Sequence, residues 1–126
     1  MDQGINYHEL WELAALDGVE YPIAIFNGPV CTTNGLYRIS DLGVEEAQTL
    51  IARHGFVSAV GHEASAQVLS TVLGVDIPMH RIEYVQAVGQ KAIALKLNIR
   101  PPEGQILSAD EMMRIGFELK LLERIE

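Results

Sequence analysis

The segment Gly55-Phe56-Val57-Ser58-Ala59-Val60-Gly61-His62-Glu63 is patterned to bring a histidine to the start of a helix. It reads as a short apolar strand that turns at Gly61 and is followed by helix-forming residues. A helix start carries unpaired backbone N–H groups and the positive end of a dipole, so it suits an anion. An imidazole placed there can exchange a proton with a bound anion. The competing reading is structural: His62 caps the helix and packs beside Phe56.

Two further places carry residues that chemistry could use. Arg100-Pro101-Pro102-Glu103-Gly104 holds an arginine and a glutamate on a stretch stiffened by paired prolines, so little freedom is lost on binding. A guanidinium offers paired donors to a phosphate; the plainer alternative is a surface turn with an ordinary ion pair. Asn27-Gly28 follows a strand-like run, where an asparagine can donate and accept towards a base or a ribose. Asn-Gly is also a common turn pair, so this signal alone decides nothing.

Other chemistries fail on inventory. Cys31 is the single cysteine, which excludes a thiolate zinc site and an intrachain disulfide and makes a reducing cytosol the expected compartment. There is no Walker loop, no G-x-G-x-x-G and no G-x-S-x-G. No metal site and no cofactor are expected. The net charge is −8, from nine Lys and Arg against seventeen Asp and Glu. A duplex-binding face draws its affinity from clustered cations, so non-specific nucleic-acid binding is disfavoured and a small pocket for an anionic ligand is allowed. The opening Met1-Asp2-Gln3-Gly4 carries no basic region with an apolar run behind it, and no apolar stretch is long enough to span a membrane.

The elements that must position these residues follow from periodicity. The 126 residues suffice for one core. Residues 1–20 read as an appendage, with a short helix from Tyr7 to Leu16 around Trp11 that Asp17-Gly18 stops. A domain spans 21–126. Tyr21 to Phe26 and Leu36 to Ile39 are strand-like. Ser40 or Asp41 can cap a helix in which Val44, Ala47, Leu50 and Ile51 recur, ended by His54-Gly55. A second helix runs from Glu63 to Leu73 with Ser65, Val68, Leu69 and Val72 inward. Arg81 to Val85 reads as a strand, and Gly89 as a turn. Lys91 to Ile99 alternates cleanly, with Ile93, Leu95, Leu97 and Ile99 on one face and Ala92 and Ala94 on the other. Ser108-Ala109-Asp110-Glu111 is a capping box opening a short helix, and Phe117 to Ile125 is a last strand. Irregularly mixed strands and helices indicate an α+β domain with a mixed sheet flanked by helices.

Taken in order, the Gly55–Glu63 segment, Arg81-Ile82-Glu83 and Arg100-Pro101-Pro102-Glu103-Gly104 resemble the B116-like proteins of archaeal viruses, phages and mobile elements. That group includes the type III anti-CRISPR ring nucleases and their cellular relatives, and the resemblance runs from about Tyr21 to Glu126. It implies a homodimer enclosing cyclic tetra-adenylate, the second messenger of type III CRISPR defence. It further implies metal-independent attack of a ribose 2′-hydroxyl on the neighbouring phosphate, giving linear di-adenylates that end in a 2′,3′-cyclic phosphate. The catalytic histidine of the group falls on His62, its arginine and glutamate on Arg100 and Glu103, and its strand-end asparagine on Asn27. Gly28, Gly61, Ser65 and Arg81 are the accompanying ligand-binding positions. Gly28 stands where relatives often have Ser or Ala, and Ala64-Ser65 replaces a Ser-Thr pair. The implied setting is cytoplasmic, the host's cytoplasm if a virus encodes the chain. The alternatives are a sponge that binds the cyclic nucleotide uncut, or a DNA- or protein-binding regulator.

The inventory generates a direct test. Cleavage of cyclic tetra-adenylate is expected to proceed undiminished in excess EDTA. Loss of cleavage in chelator, restored by magnesium or manganese, would contradict it.

Overall fold

Ile23-Ala24-Ile25-Phe26 is apolar on both faces, which suits an interior strand covered on both sides, and all four residues are buried as strand β1 (Ile23–Phe26). The computed structural model describes residues 21–99 and 107–126. The expected Tyr7–Leu16 helix, Arg100 and Glu103 lie outside the described residues. The remaining strands are β2 (Tyr37–Leu42), β3 (Phe56–Ala59), β4 (Lys91–Leu97) and β5 (Phe117–Arg124). The helices are α1 (Val44–His54), α2 (Glu63–Leu73) and α3 (Ala109–Ile115). One mixed sheet runs in the order β2-β5-β4-β1-β3.

β1 pairs in parallel with β3 on one side, from Ile23↔Phe56 to Phe26↔Ala59, and with β4 on the other, from Ala24↔Ala92 to Phe26↔Ala94. β5 runs antiparallel to β4 and to β2, with Leu119 opposite both Leu95 and Leu42. This register sorts the side chains. Ile23, Ile25, Ile93, Leu95 and Leu119 meet Ala47 and Ile51 of α1, Val68 and Leu69 of α2 and Met112 of α3 in one continuous core. The domain is therefore a two-layer α+β fold in which helices pack on one face of a mixed sheet.

The opposite face is built of small residues. Ala24, Ala92 and Ala94 with Phe26 and Leu122 are covered by Tyr84 and Ala87, and the rings of Tyr84 and Phe26 meet edge-on at 5.8 Å. Two buried glutamines hold that cover in place. Gln86 Nε2 donates to Gln90 O at 2.7 Å and Leu122 O at 2.8 Å. Gln90 Oε1 accepts from Ala87 N at 2.8 Å, and its Nε2 donates to Pro22 O at 3.0 Å. Burial raises the Tyr84 hydroxyl well above the usual phenol range, so it stays neutral beside Gln90 Nε2, 2.7 Å away.

Several boundaries correct the sequence expectations. Ser40 and Asp41 do not cap α1: both remain in β2, opposite Leu121 and Lys120, and Gly43 takes the cap position. Asp41 finds its partner across the ladder in Lys120, whose ammonium holds the carboxyl below its usual range. Arg81 to Val85 is not a strand. The residues just before it meet the sheet edge, through the bridge Val60↔Met79 and the bonds of Pro78 and His80 to Ser58 and Val60, after which the chain turns to lay Tyr84 on the sheet face. β4 ends at Leu97 and leaves Ile99 exposed, and β5 ends at Arg124. α2 buries Ser65, Val68 and Leu69 as expected, with Val72 only partly covered. The capping box of α3 is complete, with Ser108 accepting from Glu111 N and the Glu111 carboxylate accepting from Ser108 N. α1 ends at Gly55, whose φ of +71° is a conformation side-chain-bearing residues rarely adopt.

Ile93 is fully buried between the helices and the sheet, whereas Ile39 in β2 is 48% exposed. Ile93→Ala is expected to cost about 2–5 kcal/mol in urea unfolding, and Ile39→Ala under about 1 kcal/mol. Equal losses would contradict this placement of the core.

Candidate functional site

Parallel pairing points the carboxyl ends of β3, β1 and β4 the same way, and crevices at such strand ends are where α/β folds hold ligands. β1 runs out into Asn27, and β3 into Val60-Gly61-His62. One hydrogen bond ties the two ends together: Gly61 N donates to Asn27 Oδ1 at 3.0 Å. That bond fixes the asparagine amide, since Oδ1 is engaged with the backbone and Nδ2 is left to donate.

His62 stands at the N-cap position of α2 in an extended conformation (φ −130°, ψ 132°), and its side chain makes no capping hydrogen bond. Its carbonyl accepts the first helical bond, from Ala66 N at 3.0 Å. The amides of the first turn, at Glu63, Ala64 and Ser65, therefore face outward with the dipole behind them. The imidazole is exposed beside them. The capping expectation is met by position and not by bonding: His62 occupies the cap, but its ring is not spent on it. Glu63 in the first turn suits the helix dipole and places one negative charge at the rim.

Arg81 comes up to Gly61 at ordinary contact distance. A Cβ built there would lie 3.4 Å from Arg81 Cγ, 3.8 Å from Arg81 Nε and 3.8 Å from Asn27 Oδ1. Arg81 and Asn27 thus both lie against Gly61. At Gly28 an added Cβ would meet nothing within 4 Å, so space does not require glycine there. Ser65 is 4% exposed and lines a cavity of about 550 Å³ together with Asn27 and His62. Leu97, Leu107 and Met112 give that cavity an apolar floor, and Gln67 and Ser108 add polar groups. Its size is within the range of small-molecule sites, roughly 300–1,000 Å³.

Asn27, Gly61, His62, Ser65 and Arg81 are therefore gathered at one end of the sheet, with Gly28 on the adjoining loop. Arg100 and Glu103, outside the described residues, follow β4 in sequence after its last residue, Leu97, which lines the cavity. Sequence reasoning missed Gln67 and the apolar floor. Gln67 carried a usable signal, standing four residues after Glu63 and so on the same side of α2. Among the described residues no group of three or more His, Cys, Asp or Glu could hold a metal ion, and no helix is long and apolar enough to cross a membrane.

A five-stranded mixed sheet with helices on one face and a helix start at its parallel strand ends defines a small α+β domain. The chain belongs to the STIV B116-like family, whose pattern matches residues 23–119. It is 42% identical over 93 residues to protein ORF117 of the Acidianus two-tailed virus, spanning 71% of this chain and 80% of the viral protein. Protein YddF of Bacillus subtilis is 28% identical over 106 residues, spanning 82% of this chain and 98% of YddF. The solved structure of B116 from Sulfolobus turreted icosahedral virus superposes with a TM-score of 0.61 at 18% identity, covering 82% of this chain and 99% of B116. That likeness establishes the shared fold.

Asn27→Asp separates the two uses of the asparagine. The carboxylate still accepts from Gly61 N, so urea unfolding is expected to move by less than about 1 kcal/mol. Binding of an anionic nucleotide is expected to fall at least tenfold, because a donor becomes a charge of the ligand's own sign. Unchanged affinity would remove Asn27 from the site.

Proposed function

We propose that the protein is a metal-independent ring nuclease acting on cyclic tetra-adenylate. The observation that carries the reading is the open first turn of α2, with an exposed His62 at its cap whose side chain makes no capping hydrogen bond, and with Asn27 and Arg81 against the preceding Gly61. Outward amides and a guanidinium suit a phosphodiester, and the apolar floor beside them suits the flat face of a base. The resemblance to B116-like ring nucleases supplies the substrate.

In the proposed step the ribose 2′-oxygen attacks the adjacent phosphorus. The new 2′-O–P bond closes a 2′,3′-cyclic phosphate as the P–5′-O bond breaks. The 2′ proton leaves to water, and His62 supplies a proton to the departing 5′-oxygen. Arg100 neutralises the phosphate and the charge that builds on it, and Glu103 orients Arg100 or a ribose hydroxyl. Two such cuts open the ring into linear di-adenylates, which would silence the defence signal.

Residues 21–126 form the catalytic domain in this proposal, and 1–20 an appendage to it. A four-nucleotide ring exceeds what one 126-residue subunit usually encloses, so two copies share it as a homodimer in the cytoplasm, the host's where a virus encodes the chain. The net charge of −8 weighs against a DNA-binding role.

Single-turnover cleavage measured beside ligand affinity tests the proposal. His62→Ala is expected to cut roughly 10²–10⁴-fold more slowly while binding changes far less, as for loss of a general acid. Arg100→Ala is expected to weaken both binding and cleavage. Cleavage by His62→Ala at the wild-type rate would reduce the histidine to a cap. Tight binding by wild type without cleavage would make the protein a sponge.

A further inference from the structure

β3 is one of the two edge strands of the sheet, and an exposed edge leaves backbone groups to be satisfied. Residues 77–81 run along it as a strap. Ser58 Oγ donates to Pro78 O at 2.6 Å, and Ile77 N donates to Ser70 Oγ of α2 at 2.8 Å. His80 makes two consecutive bonds to that edge: its backbone N donates to Val60 O at 2.7 Å, and its ring Nδ1 lies 2.9 Å from Ser58 O. Facing a carbonyl oxygen, Nδ1 can only donate. The next residue is Arg81, which lies against Gly61.

We infer that His80 is a positioning residue: its ring, clasped to Ser58 O, sets the strap so that Arg81 stands over Gly61 at the phosphate site. The inference rests on the functional reading above for what Arg81 holds, a ligand phosphate. Without the ring bond the strap keeps Val60 O and the Ser58 hydroxyl, so the chain still folds but Arg81 samples a wider range of positions. The clasp acts on binding and leaves the bond-breaking step to other groups.

The experiment measures affinity for cyclic tetra-adenylate and the single-turnover rate at saturation, with amide and arginine Nε–H NMR spectra of ligand-free protein. His80→Ala is expected to weaken binding roughly 2- to 12-fold, the span of one such hydrogen bond, with the saturated rate unchanged. His80→Asn, whose amide can place a donor near the Nδ1 position, is expected to restore binding. In an Arg81→Ala background, His80→Ala is expected to add nothing. Additive losses, or failure of His80→Ala to fold, would overturn the inference by making His80 merely structural. The ligand-free spectra decide the geometric claim separately. His80→Ala is expected to shift the Gly61 amide and Arg81 Nε–H signals, and His80→Asn to leave them in place. Unmoved signals in His80→Ala would overturn the clasp even if wild type binds. Wild type that neither binds nor cuts would overturn the functional reading, with the clasp still judged by the spectra.

Discussion

β1 is four residues long, buried throughout, and paired in parallel on both sides. Most of the remaining structure answers to that pairing. Parallel neighbours cannot be joined by a tight turn, so the chain must cross the sheet between β1 and β3 and again between β3 and β4. α1 and α2 lie in these crossings and fill one face with their apolar sides. The same pairing sends the ends of β1, β3 and β4 to a common edge, so residues distant in sequence arrive together. The Asn27–Gly61 hydrogen bond spans 34 positions and joins two of those ends. Without the parallel ladder there would be no shared end for a site.

The two faces of the sheet solve different problems. Large aliphatic residues on the helix face interlock with three helices and supply most of the apolar burial. Alanines on the other face let an irregular segment approach closely, and there Gln90 Oε1 accepts from Ala87 N while Gln86 Nε2 donates to Gln90 O. A buried amide can take the place of a strand in this way only when its donors find partners, as both Nε2 groups do.

Much of this was legible in the residues. Alternation in β4 gave its two faces, helical spacing gave α1 and α2, and the Ser108–Glu111 pair gave the start of α3, because each depends on local periodicity or local bonding. Ser40 and Asp41 misled because a capping residue and a strand residue look alike until the partner strand is known, and Lys120 lies 79 positions away from Asp41. Arg81 to Val85 has strand-like composition, but the glutamine network and the Phe26 ring claim Tyr84 for the sheet face. At the site, the glycine turn and His62 were readable from type and order. The cavity floor was not, since Leu97, Leu107 and Met112 come from separate elements and look like ordinary core.

The cap of α2 has a consequence for how such a chain changes over generations. Serine, aspartate or asparagine at an N-cap is commonly worth about 1 kcal/mol over a residue that leaves the first-turn amides unbonded. The histidine at position 62 forgoes that gain. Selection for thermal robustness alone would drift towards the better cap, and in the same substitution would close the amides and remove the ring. Persistence of a poor cap at this position in a lineage is thus a readable sign that something other than stability is being selected there.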